Sequence, residues 1–215
     1  MGMLSRLNIR QHSKFANIEI QKENRGMIME KFSPGKDKKK LLQLTIQDIT
    51  LIGMMVAVIE VCKMAMTFLP NIELTTFWVI MFTLFFGWKI IFVIPVYILI
   101  EAAIYPFGLW LVMYLYTWPL LALISYLFRK VDSVWIWCMI SATFGLSFGL
   151  LCAIPYVFIN APGGDLRAGV SAAFAWWIAG IPWDIVHGVA NFVLMLVLYY
   201  PVRKIMNMIK RSLKR

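Results

Sequence analysis

The sequence predicts an all-α integral membrane protein with six transmembrane helices and both termini in the cytoplasm. The 215 residues are 61% hydrophobic and 15% charged, whereas a soluble domain is about half apolar and about a quarter charged. The apolar residues form runs long enough to cross ~30 Å of hydrocarbon. Ten of the 21 basic residues precede residue 41 and six lie at or after Arg203, so both ends carry the positive charge typical of cytoplasmic flanks.

The chain divides by composition into two tails and a membrane domain. Residues 1–44 are expected to form a disordered, basic cytoplasmic tail, and residues 206–215 a second basic cytoplasmic tail. The membrane domain covers 45–205, and its clear spans are 46–69, 110–128, 134–159 and 182–201. The basic tails flank an apolar domain, so they indicate contact with an anionic lipid surface and not with nucleic acid.

The stretch 74–108 is too long for one span. Two basic tails on the same side require an even number of spans, so we expect two helices here, divided at "FFGWK" by Gly87 and Lys89. Lys89, Arg129 and Lys130 then face the cytoplasm. The outer loops near 70, 107 and 165 contain one basic residue, Arg167.

The last apolar segment, 170–203, would reach ~50 Å as a single helix, which exceeds the hydrocarbon thickness. We therefore expect a break at Gly180 and Pro182. The stretch "SAAFAWWIAG" would then lie at the outer interface, where its two tryptophans and Trp183 would contribute to an aromatic belt.

Three polar residues interrupt the last span in "GIPWDIVHGVANF". Asp184, His187 and Asn191 follow the spacing i, i+3, i+7 and so share one helix face. His187 lies ~24 Å above the inner boundary, counted from Arg203. Alternatively, Asp184 could occupy the first turn of a helix that begins after the proline, and His187 could be a satisfied interhelical hydrogen-bond donor.

Aromatic residues form a stripe at matching depth on the fourth span. Trp110, Tyr114 and Trp118 repeat at i+4, although such a stripe could also be ordinary core or belt. Because polar and aromatic groups from several spans converge in the outer half, above an apolar inner half, we predict a pocket open to the outside. The predicted substrate-binding residues are Asn71, Glu73, Glu101, Trp110, Tyr114, Trp118, Trp183, Asp184, His187 and Asn191.

Two spans carry rows of small residues that allow close helix approach. The fifth span has Ser141, Gly145, Gly149 and Ala153 at i+4 spacing, and the first has a weaker row of Gly53, Ala57 and Ala65. Such rows indicate internal packing or a subunit surface. The cysteines, Cys62, Cys138 and Cys152, lie in apolar runs without metal-ligand spacing, so we expect packing roles and no metal or cofactor.

Four stretches carry a family resemblance: "FLPNIELTTFWVIMFTLFFGWK", "EAAIYPFGLWLVMYLYTWP", "FGLSFGLLCAIPYVFI" and "AFAWWIAGIPWDIVHGVANFVL". Over roughly 45–205 the chain resembles the substrate-binding S component of energy-coupling factor transporters. The resemblance implies a six-helix protein of the cell membrane with an outward-facing vitamin pocket. It also implies toppling within the membrane to release substrate, and partnership with a transmembrane coupling subunit and two cytoplasmic ATPases. The family's A-x-x-x-A docking motif corresponds here to Gly53 and Ala57, with glycine replacing the first alanine.

The charges inside the spans and first outer loop bear on the substrate. The acidic residues Glu60, Glu73, Glu101 and Asp184 face a single basic residue, Lys63, with which Glu60 is expected to pair. An anionic substrate would find little compensation, while the aromatic stripe suits a flat ring. We therefore expect a neutral or weakly cationic heteroaromatic that is pyridoxine-, pyrimidine- or flavin-like.

Two other functions compete with this interpretation. A stand-alone secondary carrier or channel would need a polar path through the inner half or an internal repeat, and the sequence has neither. A membrane enzyme could use Asp184 and His187 as an acid–base or metal pair. However, the other histidine, His12, lies in the tail, and no nucleophile or Walker A motif occurs, so no enzymatic activity is expected.

Overall fold

The computed structural model describes residues 44–213, which form six α-helices and, within that range, no β-strand. The helices are α1 (Ile46–Ala65), α2 (Thr75–Phe86), α3 (Ile90–Ile104), α4 (Leu109–Leu127), α5 (Val134–Ile159) and α6 (Leu166–Ser212). Short 3₁₀ turns cover Gly87–Lys89 and Pro162–Gly164. The expected N-terminal tail lies almost wholly outside the described residues.

Four stretches are long and apolar enough to cross a membrane, as a multi-pass helical membrane protein requires. They are Thr75–Ile104, Leu109–Leu127, Val134–Ile159 and Leu166–Ser212. Helix α1 has 20 residues but carries Asp48, Glu60 and Lys63, so it is too charged to be counted with them.

Helix α2 runs antiparallel to α1. At one end, the indole Nε1 of Trp78 donates to the Cys62 sulfur at 3.2 Å, near the C-terminus of α1. At the other end, Lys89, just after α2, forms an ion pair with Asp48 near the N-terminus of α1. Helix α2 therefore descends along α1 from its C-terminal end to its N-terminal end.

Helix α3 returns in the opposite direction. Glu101, near the end of α3, pairs with Lys63 at the same end of α1 that Trp78 contacts. A straight 30-residue helix would be ~45 Å long and would separate Trp78 from Glu101 by ~35 Å. The chain therefore reverses between α2 and α3. The reversal lies at Gly87, whose φ of 60° is in the left-handed region that favours glycine, as "FFGWK" predicted.

Helix α6 continues without interruption through Gly180 and Pro182, so the expected break at this point is wrong. Pro182 removes one backbone hydrogen bond, whereas ending one helix and starting another would leave several backbone groups without a helical partner. The helix begins instead at the Asp165 cap, whose Oδ1 accepts from the backbone N–H groups of Arg167 at 3.0 Å and Ala168 at 3.3 Å.

The small residues of α5 pack against α6. A Cβ added at Gly145 would lie 2.8 Å from the Cα of Gly188, and one at Gly149 would lie 2.7 Å from Oδ1 of Asp184. Ser141 and Ala153 are also buried. The prediction that this row serves internal packing is confirmed.

The small residues of α1 lie on a different kind of surface. A Cβ added at Gly53 would meet no atom within 4 Å, and both Gly53 and Ala57 are exposed. This face of α1 therefore has room for close approach by another helix.

Candidate substrate-binding site

A cavity of about 260 Å³ lies where the C-terminal end of α1 meets α4, α5 and α6. Its lining residues are Lys63, Met66, Thr67, Leu69, Asn71, Ile72, Glu73, Tyr114, Phe148 and His187. Four of the ten sequence-predicted residues are among them: Asn71, Glu73, Tyr114 and His187. Ligand pockets commonly measure about 300–1,000 Å³. This cavity is slightly smaller than that range, so it suits only a small molecule.

His187 brings a buried polar atom to the cavity wall. The residue is 4% exposed, and its ring packs edge-on against Phe148, with centroids 5.2 Å apart. Its Nε2 is buried and has no hydrogen-bond partner among residues 44–213. Buried polar atoms are nearly always paired, so this nitrogen is an unsatisfied hydrogen-bonding atom on a residue that lines the cavity.

The loop between α1 and α2 contributes a carboxylate. Thr75 Oγ1 donates to Glu73 Oε2 at 3.2 Å, and Glu73 lines the same cavity as His187. In residues 44–213 Glu73 forms no ion pair. Asn71 adopts a φ of 57°, a left-handed conformation that asparagine tolerates better than most residues. The cavity therefore has an acidic side without a fixed counter-charge.

Lys63 lines the cavity with its own charge already compensated. It forms an ion pair with Glu101, and its Nζ lies within 6 Å of three tyrosine ring centroids, a cation–π distance. These are Tyr114 at 5.3 Å, Tyr105 at 5.5 Å and Tyr97 at 5.8 Å. The half-buried cation is thus held by one carboxylate and by the hydroxyls of Tyr97 and Tyr114, to which its Nζ donates at 3.4 Å each.

The expected ion pair between Glu60 and Lys63 is absent from the described residues. Because α1 ends at Ala65, Lys63 stands in its last turn and reaches across to Glu101 on α3. Glu60 is 8% exposed, and both its carboxylate oxygens are without a hydrogen-bond partner in residues 44–213. Glu101 and Lys63 are its charged neighbours.

The aromatic stripe of α4 is continuous, but its members occupy different positions. Tyr114 contacts Trp110 and Trp118 edge-on, each at 5.4 Å between centroids. Of the three, Tyr114 lines the cavity. Trp118 is fully buried behind it, and Trp110 is half-buried, with Nε1 donating to the Pro106 carbonyl at 2.9 Å.

Asp184 and Asn191 join α6 to its neighbours. Asp184 Oδ1 accepts from the backbone N–H of Gly149 at 2.9 Å. Asn191 Nδ2 donates to Thr76 Oγ1 at 3.3 Å and to the Ser141 carbonyl at 3.4 Å. Since α6 begins at Leu166, the alternative that Asp184 occupies a first helical turn does not hold.

Trp183 lies apart from these groups. It is 52% exposed and is not among the residues that line the cavity of about 260 Å³. This position suits an aromatic side chain at a membrane interface.

Two residues that line the cavity were not predicted from the sequence to do so: Phe148 and Lys63. Phe148 follows Phe144 at i+4, beside the small-residue row of α5, and the two rings contact each other at 6.0 Å. This second aromatic stripe was visible in "FGLSFG". Lys63 was recognised as charged, but its partner on α3 is distant in sequence.

No three His, Cys, Asp or Glu side chains in residues 44–213 are grouped as metal ligands. The three cysteines are free thiols, two buried and one half-buried, in positions that fit packing. Asp184 and His187, the candidate metal pair, have separate environments, since one bonds Gly149 and the other packs on Phe148.

No family model, no curated protein and no solved structure matches the chain. Information on the function of the chain therefore comes from the geometry of the site.

Proposed function

We propose that the chain is the S component of an energy-coupling factor importer. It binds a small, neutral or weakly cationic heteroaromatic, of vitamin or vitamin-precursor type, in the cavity at the outer face, and an ATPase-driven coupling subunit drives its delivery to the cytoplasm. The observation that carries the proposal is His187, which lines a small cavity and whose buried Nε2 has no protein partner in the described range.

The proposed orientation has six membrane crossings and both termini inside. The directions of α1, α2 and α3 alternate, as argued from their end contacts. The end opposite the cavity is basic, because Lys89 lies there and Arg129 Nη1 is 3.9 Å from the position of a Gly87 Cβ. Arg203 pairs with Asp132 in the loop after α4. The positive-inside rule then places this end in the cytoplasm and the cavity outside.

The ligand class follows from charge and size. Lys63 is neutralised by Glu101, whereas Glu73 has no cationic partner in residues 44–213, so a cationic or hydrogen-bond-donating group is favoured. Tyr114 and Phe148 offer ring faces for a flat molecule. The volume of about 260 Å³ favours a pyridoxine- or pyrimidine-sized ring over a flavin.

The inner half of the helices gives a reason to prefer delivery by a partner protein over transport by a stand-alone carrier. Two of its buried hydroxyls donate to carbonyls of their own helices: Thr83 to Val79 at 2.6 Å and Ser125 to Leu121 at 2.7 Å. Such hydroxyls are satisfied locally and do not form a polar path. The exposed face with Gly53 and Ala57 offers a surface for the coupling subunit.

Mass spectrometry of small molecules released from the purified full chain tests the binding function. We expect a single-ring compound with wild type and with the control Trp183→Ala, since that side chain is outside the cavity. His187→Phe, which removes Nε2 and keeps a ring against Phe148, should lose it. A chain that releases the same compounds with and without His187 would refute the proposed site.

Co-purification tests the partnership. Gly53→Leu should abolish capture of the coupling subunit and ATPases, while ligand binding and fold persist because nothing surrounds that position. Ala175→Leu, at an exposed position on α6, is the matched control. Equal capture by both variants would remove this face of α1 from docking.

A further inference from the structure

We propose that the groove between α3 and α4 binds an acyl chain of an anionic phospholipid whose phosphate is held by Arg129. This proposal uses the membrane orientation given above but not the cavity at the other end.

The groove consists of two adjoining apolar cavities of about 600 and 500 Å³. They share Pro95, Ile98 and Leu115 and so run along the two helices. Ile91 is 64% exposed and Leu123 is 55% exposed along the walls. In a membrane, walls of this kind face lipid chains.

Two prolines explain why the helices do not close on each other here. Pro95 and Pro119 stand inside α3 and α4 and both line the larger cavity. A helical proline donates no hydrogen bond to the carbonyl four residues earlier and its ring displaces that turn. The affected carbonyls are those of Ile91 and Leu115, which also line the groove. The two carbonyls that lose a helical donor therefore lie along the opening.

A cation stands at the inner end of the groove. The guanidinium carbon of Arg129 lies 4.0 Å from the ring centroid of Tyr126, and Tyr126 lines the groove. Lys89 and Arg203 pair with aspartates, but Arg129 has no carboxylate partner in residues 44–213. Basic groups beside transmembrane helices on the cytoplasmic side bind phospholipid head groups.

The lining favours a lipid chain over a helix of another protein. Closely packed membrane helices need rows of small residues, whereas this groove is lined mainly by Ile, Leu and Pro. A flexible chain can fill an irregular apolar groove, and the unpaired arginine supplies the complementary charge for an anionic head group.

Native mass spectrometry of the purified full chain with equal phosphatidylglycerol and phosphatidylcholine tests the proposal. Wild type should retain more phosphatidylglycerol. Arg129→Gln should lower its retention about fivefold, the effect of one basic group near a lipid surface, and lower that of phosphatidylcholine less, because the choline cation offsets the charge of its phosphate. Leu123→Trp should lower retention of both lipids by filling the groove.

The matched controls are Lys204→Gln, an exposed lysine on α6, and Leu150→Trp, a 48% exposed leucine on α5. Both should behave as wild type. The proposal is overturned if wild type retains the two lipids equally, if Arg129→Gln and Lys204→Gln have the same effect, or if Leu123→Trp changes nothing. Ligand release by the wild-type chain would be unaffected by any of these results, so failure here is distinguishable from failure of the proposed function.

Discussion

Replacement of Lys63 by methionine should destabilise the protein strongly. Its partner Glu101 has a side chain only 3% exposed, and Lys63 itself is 16% exposed. Methionine keeps the length of the side chain but leaves Glu101 and the nearby Glu60 without a counter-charge. Removing one member of a buried ion pair typically costs about 3–5 kcal/mol.

Thermal unfolding in detergent, followed by scanning fluorimetry, measures this effect. For a chain of this size about 1 kcal/mol corresponds to a change of about 2–4 °C in Tm, so Lys63→Met should lower Tm by about 6–20 °C. The double variant Lys63→Met/Glu101→Met should recover most of the loss, because an apolar replacement for a whole buried pair is often neutral or stabilising. Adding Glu60→Gln should recover the remainder.

Lys204→Met provides the control, since this lysine is exposed on α6 and surface substitutions usually change stability by no more than about 0.5 kcal/mol. If Lys63→Met melts at the same temperature as Lys204→Met, the pair is not a buried electrostatic contact. If the double variant is as unstable as the single one, the loss comes from packing around the tyrosines and not from the orphaned carboxylate.

Three further variants test the helix arrangement by the same melting assay. Gly145→Leu should lower Tm by about 2–12 °C or more, because its Cβ would lie 2.8 Å from the Gly188 backbone and overpacking costs about 1–3 kcal/mol; Gly53→Leu is the control, and equal Tm values would contradict the packing. Pro182→Ala should not lower Tm, because α6 is continuous there. A lower Tm would mean that the proline stabilises the protein by ending or bending the helix. Asn191→Ala should lower Tm by about 1–7 °C, the loss expected for a hydrogen bond between membrane helices, and no change would show that its bonds to Thr76 and Ser141 are unimportant.

Features that depend on local sequence were predictable. The turn at Gly87 followed from the length of the apolar stretch and the position of Lys89, because lipid thickness and charge act on each segment separately. The packing row of α5 followed from small residues at i+4, because only such a row lets two backbones approach. Tyr114 and His187 were placed at one depth by counting residues, and the two side chains line the same cavity.

Features that depend on the register between distant segments were not predictable. The partner of Lys63 is 38 residues away, and helical periodicity carries no information about which turn of α3 faces α1. The span predicted at 46–69 was also too long, since α1 ends at Ala65. The break expected at Pro182 is wrong, because a proline inside a helix removes one backbone hydrogen bond, whereas a helix end leaves several backbone groups without a helical partner.

The three polar residues of α6 share one face, but they have different roles. Asp184 and Asn191 bond to α5 and α2 on either side of His187, so the helix that carries the imidazole is fixed both above and below it. A binding group is effective when its position is set before the ligand arrives. We therefore expect Asn191→Ala to act first on stability, and His187→Phe to act on ligand retention with little change in Tm. If both variants changed Tm and ligand retention in the same proportion, the separate roles assigned to these residues would be wrong. Asn191 would then not act mainly in helix packing, nor His187 mainly in ligand binding.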